Sequence, residues 1–298
     1  LEGSIKLSPS TQISSVLSTE MRRNVEIGTT QPSLDKGYTK ERFSDTNRLF
    51  GTLKLEKEDL GLPWADRLVV GVDASTGGLE SEHHDVVSGG VLTYVFGTPT
   101  RPLVASGRGT RNAAAGFAHY EFQPVDRLRF VVEGRYDLFR DSFRPYEPDP
   151  GLTINTDFAA FSPRVGLNLK WIQSAQQTGN LYMTAARTFK APSSDQLFDQ
   201  RSVPVLPGVN KPVSNPMLRP QHGVNLEAGI YHGVVIDPGF WTSDMSLAIY
   251  QMDMEDEINF DVATFALGNI DESRHRGVEL GMNLRGPSAS TFFVNYAL

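Results

Sequence analysis

The chain has 298 residues, with 28 Lys and Arg against 35 Asp and Glu, a net charge of −7 and no cysteine. The acidic balance argues against a nucleic-acid binder, which normally presents a net basic surface. The lack of cysteine excludes disulfide scaffolds, thiolate zinc sites and thiol catalysis, and accords with an oxidising compartment.

No stretch approaches the roughly 18 consecutive apolar residues of a membrane-spanning helix. Helical periodicity is poor, and Gly and Pro interrupt every long window. Alternation of apolar and polar residues dominates instead. From the amino terminus it predicts about eleven strands, over 13–29, 43–57, 66–74, 111–122, 127–139, 157–171, 179–189, 223–234, 241–252, 265–284 and 291–298. In the fifth, Leu128, Phe130, Val132, Gly134, Tyr136 and Leu138 share one parity, with Arg129, Val131, Glu133, Arg135 and Asp137 between them. Successive side chains of a strand point to opposite faces, so each segment has one apolar and one polar face. Segments 49–55, 68–74, 165–171, 224–230, 245–249, 278–284 and 292–298 repeat the pattern. Their apolar parity holds no Asp, Glu, Lys or Arg, while Lys54, Arg67, Asp73, Arg164, Lys170, Glu227 and Glu279 fall on the other.

Two all-β architectures satisfy this alternation. A soluble sandwich or propeller, serving as a ligand-binding module, turns the apolar face inward. An antiparallel up-and-down transmembrane β-barrel turns it toward lipid and the polar face toward a wet lumen. The connections favour the barrel. Short links at 57–66, 123–126, 172–180, 235–241 and 285–290 alternate with long ones at 75–110, 140–155, 190–223 and 253–269. Trp64, Trp171 and Trp241 all sit at or beside a short link, where an interfacial aromatic girdle would lie.

Three stretches carry a family resemblance. Asn180 to Ser193 ends in Phe189-Lys190-Ala191-Pro192. Asn215-Pro216-Met217-Leu218-Arg219-Pro220 leads into Glu227-Ala228-Gly229. Asn269 precedes Arg276-Gly277-Val278-Glu279, and Arg135-Tyr136-Asp137 stands upstream. Order and spacing resemble the β-barrel motifs of TonB-dependent outer-membrane receptors, over roughly residues 117–298. The resemblance implies active import of a scarce nutrient, a ferric siderophore or other iron chelate, through a barrel of twenty-two strands, with no enzymatic activity. A passive porin-like channel is the reading these motifs disfavour. The implied location is the outer membrane of a Gram-negative bacterium. Implied partners are its lipid and lipopolysaccharide, the iron-chelate ligand, and the TonB complex acting through a plug domain.

No plug segment is recognisable in 1–298, and the chain ends within the alternating run 292–298. It is therefore expected to be one partial barrel domain of about eleven strands, a fragment of a longer receptor. Ligand binding is expected in the long loops and upper lumen at Arg101, Arg108, Arg111, Arg140, Arg144, Tyr146 and Arg201, because guanidinium and aromatic groups suit anionic chelates. Arg135 and Arg164 are the expected lumenal partners of Glu227 and Glu279. His83 and His84, beside Glu80, Glu82 and Asp85, are expected to be solvated rather than metal-bound, as are Asp253, Glu255, Asp256, Glu257 and Asp261. No metal site or cofactor is expected. Haem receptors of the family carry a ligand His between the two Pro-containing motifs; here His222 only follows them. No Gly-x-Ser-x-Gly or His-Glu-x-x-His motif is present.

Overall fold

The computed structural model describes the chain apart from residues 34–35, 86, 89–90, 93–102, 148–149, 200–201, 207–208, 213, 238–240 and 265. Twelve strands form one antiparallel sheet, each hydrogen-bonded to its neighbours in chain order. They are β1 Glu2–Ser8, β2 Thr11–Ser33, β3 Lys36–Glu58, β4 Ala65–Asp85, β5 Leu103–Val125, β6 Leu128–Glu147, β7 Ile154–Gln173, β8 Gln177–Lys190, β9 Gln221–Asp237, β10 Trp241–Asp261, β11 Ala266–Arg285 and β12 Thr291–Ala297. Two small separate ladders join Ser202–Leu206 to Val209–Pro212 and Val87–Ser88 to Val91–Leu92. The outermost strands β1 and β12 do not pair with each other, so the sheet is open.

The structure adds β1 to the eleven strands expected. Within it only Ile5 and Leu7 are large and apolar, too few to register as alternation. It also shortens the connections. The expected loop over 253–269 is mostly strand, with β10 and β11 paired from Thr242↔Arg285 to Asp261↔Ala266.

Register places each parity on one face. Ile5, Ile13 and Leu55 lie side by side, and Tyr136 lies beside Phe161. The apolar face is bare: Leu53, Val72, Leu138, Phe161, Val165, Met183, Ile249 and Leu280 are all exposed. Among the described residues no second sheet covers it, as a sandwich would require. So broad an exposed apolar surface is a lipid-facing surface. On β6 it runs from Leu128 to Leu138, close to the ~9–11 residues with which a tilted strand crosses hydrocarbon. Beyond it, Arg140 to Glu147 continue the strand past the band.

At the short-turn end, aromatic side chains collect. Phe122 stacks on Phe130, ring centroids 5.0 Å apart, and Trp64 lies against Phe122. The Trp64 indole N–H donates to the Tyr120 hydroxyl at 3.1 Å. Rings with one polar edge suit the boundary between hydrocarbon and water.

Candidate functional site

The buried core of this sheet lies on its polar face, at the end away from the tryptophans. Between β8 and β9 the chain turns inward and lays a short helix, α1 (Ser194–Phe198), against the wall. A capping box starts it: the Ser193 hydroxyl accepts from the Gln196 N–H at 3.2 Å, and the Gln196 side-chain oxygen accepts from the Ser193 N–H at 2.9 Å. Leu197 and Phe198 join Phe143 of β6, Phe158 of β7 and Leu218 in one buried cluster. Phe143 and Phe198 stack with centroids 5.1 Å apart.

Polar ties fasten this strap on both sides. Arg42 of β3 makes a paired contact with the Asp195 carboxylate, one arm at 3.0 Å, and donates to the Ser81 hydroxyl at 3.3 Å. Burial disfavours its charge, yet the hydrogen bond and charge of Asp195 outweigh that and hold the guanidinium above its ordinary pKa. Arg111 of β5 grips Asp141 at 2.6 and 2.7 Å and also donates to the Pro192 carbonyl at 2.6 Å. On the far side, Asn215 donates to the Leu267 carbonyl at 3.0 Å. Asn269 accepts from the Arg219 N–H at 2.9 Å and donates to the Arg219 and Asp256 carbonyls at 3.0 and 2.6 Å. Here the family motif has a physical explanation. Phe189, Ala191, Pro192, Asn215, Pro216, Leu218 and Pro220 end one strand, seat the strap and lead into the next, and Asn269 clamps it.

Below the strap the wall is charged and internally paired. Arg135 bonds Asp137 at 3.0 Å and Asp73 at 2.6 Å. Glu227 does not meet Arg135 or Arg164 as expected: it accepts from the Tyr182 hydroxyl at 2.8 Å, and Arg164 instead approaches Glu133 at 3.5 Å. The register explains this, since Tyr182 and Gly229 are directly opposed and the glycine leaves room for the ring to reach Glu227. Glu279 lies across from Ala248, and Gly277 underlies the Tyr250 ring. Tyr136, on the other parity, faces outward.

A cavity of about 420 Å³ opens between the strap and the inner surfaces of β2–β5, lined in part by Glu20, Arg22, Arg42, Arg48, Arg111 and Asp195. Arg22 and Arg48 are exposed to it. Arg22 bonds only the Asn24 side chain, at 3.1 Å, and the Arg48 guanidinium rests over Phe50. Among the described residues neither forms an ion pair, although Glu20 lies directly across from Arg48 and lines the same cavity.

Of the candidate ligand residues that are described, only Arg111 lines this space. Arg108, Arg140 and Arg144 lie on strands rather than loops, and on the outward parity; Tyr146 lies on β6 at a register shift between Pro145 and Glu147. Arg108 lies directly across from Arg144 and pairs with Glu80 at 3.0 Å, and Arg140 bonds Asp157 at 2.8 Å. Arg101 and Arg201 lie outside the described residues. His83 and His84 are buried on β4 rather than solvated, with His83 3.6 Å from Asp199. The acidic run is largely engaged: Asp253 with Arg274, Asp256 with Arg219, and Glu257 with Ser273. Arg22, Arg42 and Arg48 were not singled out from sequence. Their signal was present, since all three sit on the parity opposite Met21, Phe43 and Leu49.

A family model described as the TonB dependent receptor-like β-barrel matches residues 8–298. Among solved structures, the chain resembles the unliganded ferric citrate transporter FecA, with a TM-score of 0.67 and 12% identity over 99% of this chain and 41% of that one. It also resembles the siderophore receptor PiuA from Acinetobacter baumannii (TM-score 0.67, 14% identity, 99% and 46%) and the copper transporter OprC (TM-score 0.67, 16% identity, 98% and 44%). No curated protein matches the chain by sequence. The chain spans less than half the length of these structures, and at such identities they speak for fold alone. The family match covers nearly all of the chain and agrees with the wall, the strap and its clamps: the chain belongs to the TonB-dependent receptor β-barrel family.

Proposed function

We propose that the complete protein is an outer-membrane receptor of a Gram-negative bacterium that imports an anionic metal chelate, a ferric siderophore or similar iron complex, and is not an enzyme. In this reading 1–298 is part of a single barrel domain. The plug and the contact with the TonB complex that drives transport belong to other parts of the receptor.

The observation that carries the substrate class is the pair Arg22 and Arg48. Both cations line the inner cavity beside the strap, whereas Arg42, Arg111 and Arg135 are neutralised by Asp195, Asp141 and Asp137. A guanidinium without a carboxylate partner offers a planar fork to the carboxylate or catecholate-type oxygens of a chelate. A cavity walled by low-dielectric protein concentrates that attraction. The bare apolar face supports the membrane location, and among the similar structures FecA is a ferric citrate transporter and PiuA a siderophore receptor.

The test is growth of a deletion strain on a panel of iron sources. Loss of growth on one anionic chelate, restored by the gene, supports the reading; growth on every source under iron limitation contradicts it. Recovery of the full-length protein in the soluble fraction would contradict the membrane location.

A further inference from the structure

Three arginines beside or below the strap hold carboxylates, and the carboxylates differ. Arg111 holds Asp141, and Arg135 holds Asp137. Both acids are buried on β6, where the ladders on either side fix them. Arg42 holds Asp195, whose side chain is 50% exposed. Asp195 stands in the first turn of the five-residue helix α1, and no ladder bond fixes it. Of the three acids it alone can leave its arginine without being stranded or tearing the wall.

Arg42, Arg111 and Asp195 line the same cavity. An incoming anion that took Arg111 from Asp141 would leave a buried carboxylate without its cation, a heavy cost. One that takes Arg42 from Asp195 replaces one carboxylate by another, so the buried guanidinium stays paired. Asp195 then turns to water that already reaches half of its side chain. Glu26, 3.7 Å from the same guanidinium, is exposed as well, so neither acid needs Arg42 to stay solvated. The other ties of the strap permit the exchange. At its far end Asn215 and Asn269 bond backbone groups, and an anion does not compete for neutral bonds of that kind. Leu197 and Phe198 remain in their apolar cluster, so the movement is confined to the first turn.

We infer that Asp195 is a specificity-determining residue of this cavity: it occupies Arg42 until a cargo with several carboxylate-type oxygens displaces it, and the first turn of α1 opens as that cargo binds. A single carboxylate competes with a tethered copy of itself at high effective concentration and loses. A polycarboxylate also reaches Arg111, whose guanidinium is bonded to the Pro192 carbonyl, three residues before Asp195. Binding and closure of the turn are then reciprocal: whatever the cargo does to the tie, loss of the tie does to the cargo's affinity. The inference rests on the anionic-cargo reading and adds the residue that yields to the cargo.

The test uses the complete receptor with the tricarboxylate citrate as probe and acetate at matched ionic strength as control. Amide exchange is followed at Gln196 and Leu197, whose N–H groups bond Ser193, and at Leu218 and Arg219 beyond the turn. Citrate should speed exchange at the first two and leave the others unchanged, and acetate should do neither. By calorimetry, Asp195→Asn should bind citrate at least about fivefold more tightly than the wild type. In that variant the first turn should exchange fast with or without citrate. Citrate that binds with exchange at Gln196 and Leu197 unchanged, equal affinity in the two proteins, or no citrate binding to either overturns the inference. Any of these results in a receptor whose gene restores growth on an anionic iron chelate overturns this inference alone; a gene that restores growth on none overturns the import reading.

Discussion

Arg42 and Asp195 stand 153 residues apart in sequence and meet through both arms of the guanidinium, tying β3 to the first turn of α1. The Arg42 side chain is only 7% exposed, while Asp195 is half exposed. Removing the carboxylate leaves the buried cation only the more distant, exposed Glu26, 3.7 Å away, whereas the pair itself spends little on desolvating Asp195.

Asp195→Asn should therefore loosen the strap without unfolding the wall. A cost of about 3 kcal/mol is expected, at the low end for a broken buried pair. Amide exchange should rise across 191–220 and stay unchanged in β6 below Leu138. Equal exchange in the variant and the wild type would show that Phe198 and Leu218 hold the strap alone.

Asn269→Asp tests the opposite fastening. The wild-type amide donates to two carbonyls and accepts from one N–H, and the Asp variant turns both donated bonds into contacts between oxygens. The expected loss is about 1–3 kcal/mol, read by chemical denaturation of the full barrel. Asn269→Ala should cost less, because it leaves no carboxylate facing the carbonyls.

The wall of the barrel was legible in sequence because a strand of period two writes its two faces directly into residue order. Leu128 to Leu138 read correctly without any knowledge of their neighbours. The strap was not legible in the same way. Its ties join Arg42 to Asp195 and Arg111 to Pro192, across distances that no local pattern records. Its start is nonetheless written in the chain as Ser193-Ser194-Asp195-Gln196, a capping-box signature. Parity also separates the useful arginines from the others. Arg140 and Arg144 share the parity of Leu138 and so point outward, whereas Arg111 shares the parity of Phe117 and faces in.

Gly229 is required by the ring above it. A Cβ there would lie 2.5 Å from the Tyr182 ring, so Gly229→Ala must swing the ring away and break its bond to Glu227. A loss of about 1–3 kcal/mol is expected from overpacking, again by chemical denaturation. Tyr182→Phe with Gly229→Ala should show whether the lost hydrogen bond or the displaced ring sets the cost.

The hairpin tip beyond β10 should respond to acid. Asp261 accepts from the Ala263 N–H at 2.8 Å and the Thr264 hydroxyl at 2.9 Å, and these bonds, the backbone one foremost, hold its pKa below the ordinary carboxylate value. A depressed folded value contributes order above the unfolded pKa, and that order is lost as pH falls through the lowered value. Amide chemical shifts of Ala263 and Thr264 should therefore move below about pH 4. Asp261→Asn should remove that pH dependence.

The assignment of an anionic cargo is tested most directly by reversing the two cations beside the strap. In the complete receptor, Arg22→Glu with Arg48→Glu should weaken binding of the ferric chelate that supports growth by at least tenfold, with the barrel still folded in the outer membrane. Arg22→Lys with Arg48→Lys should retain most of the affinity. Unchanged chelate affinity in the reversed variant would contradict the account.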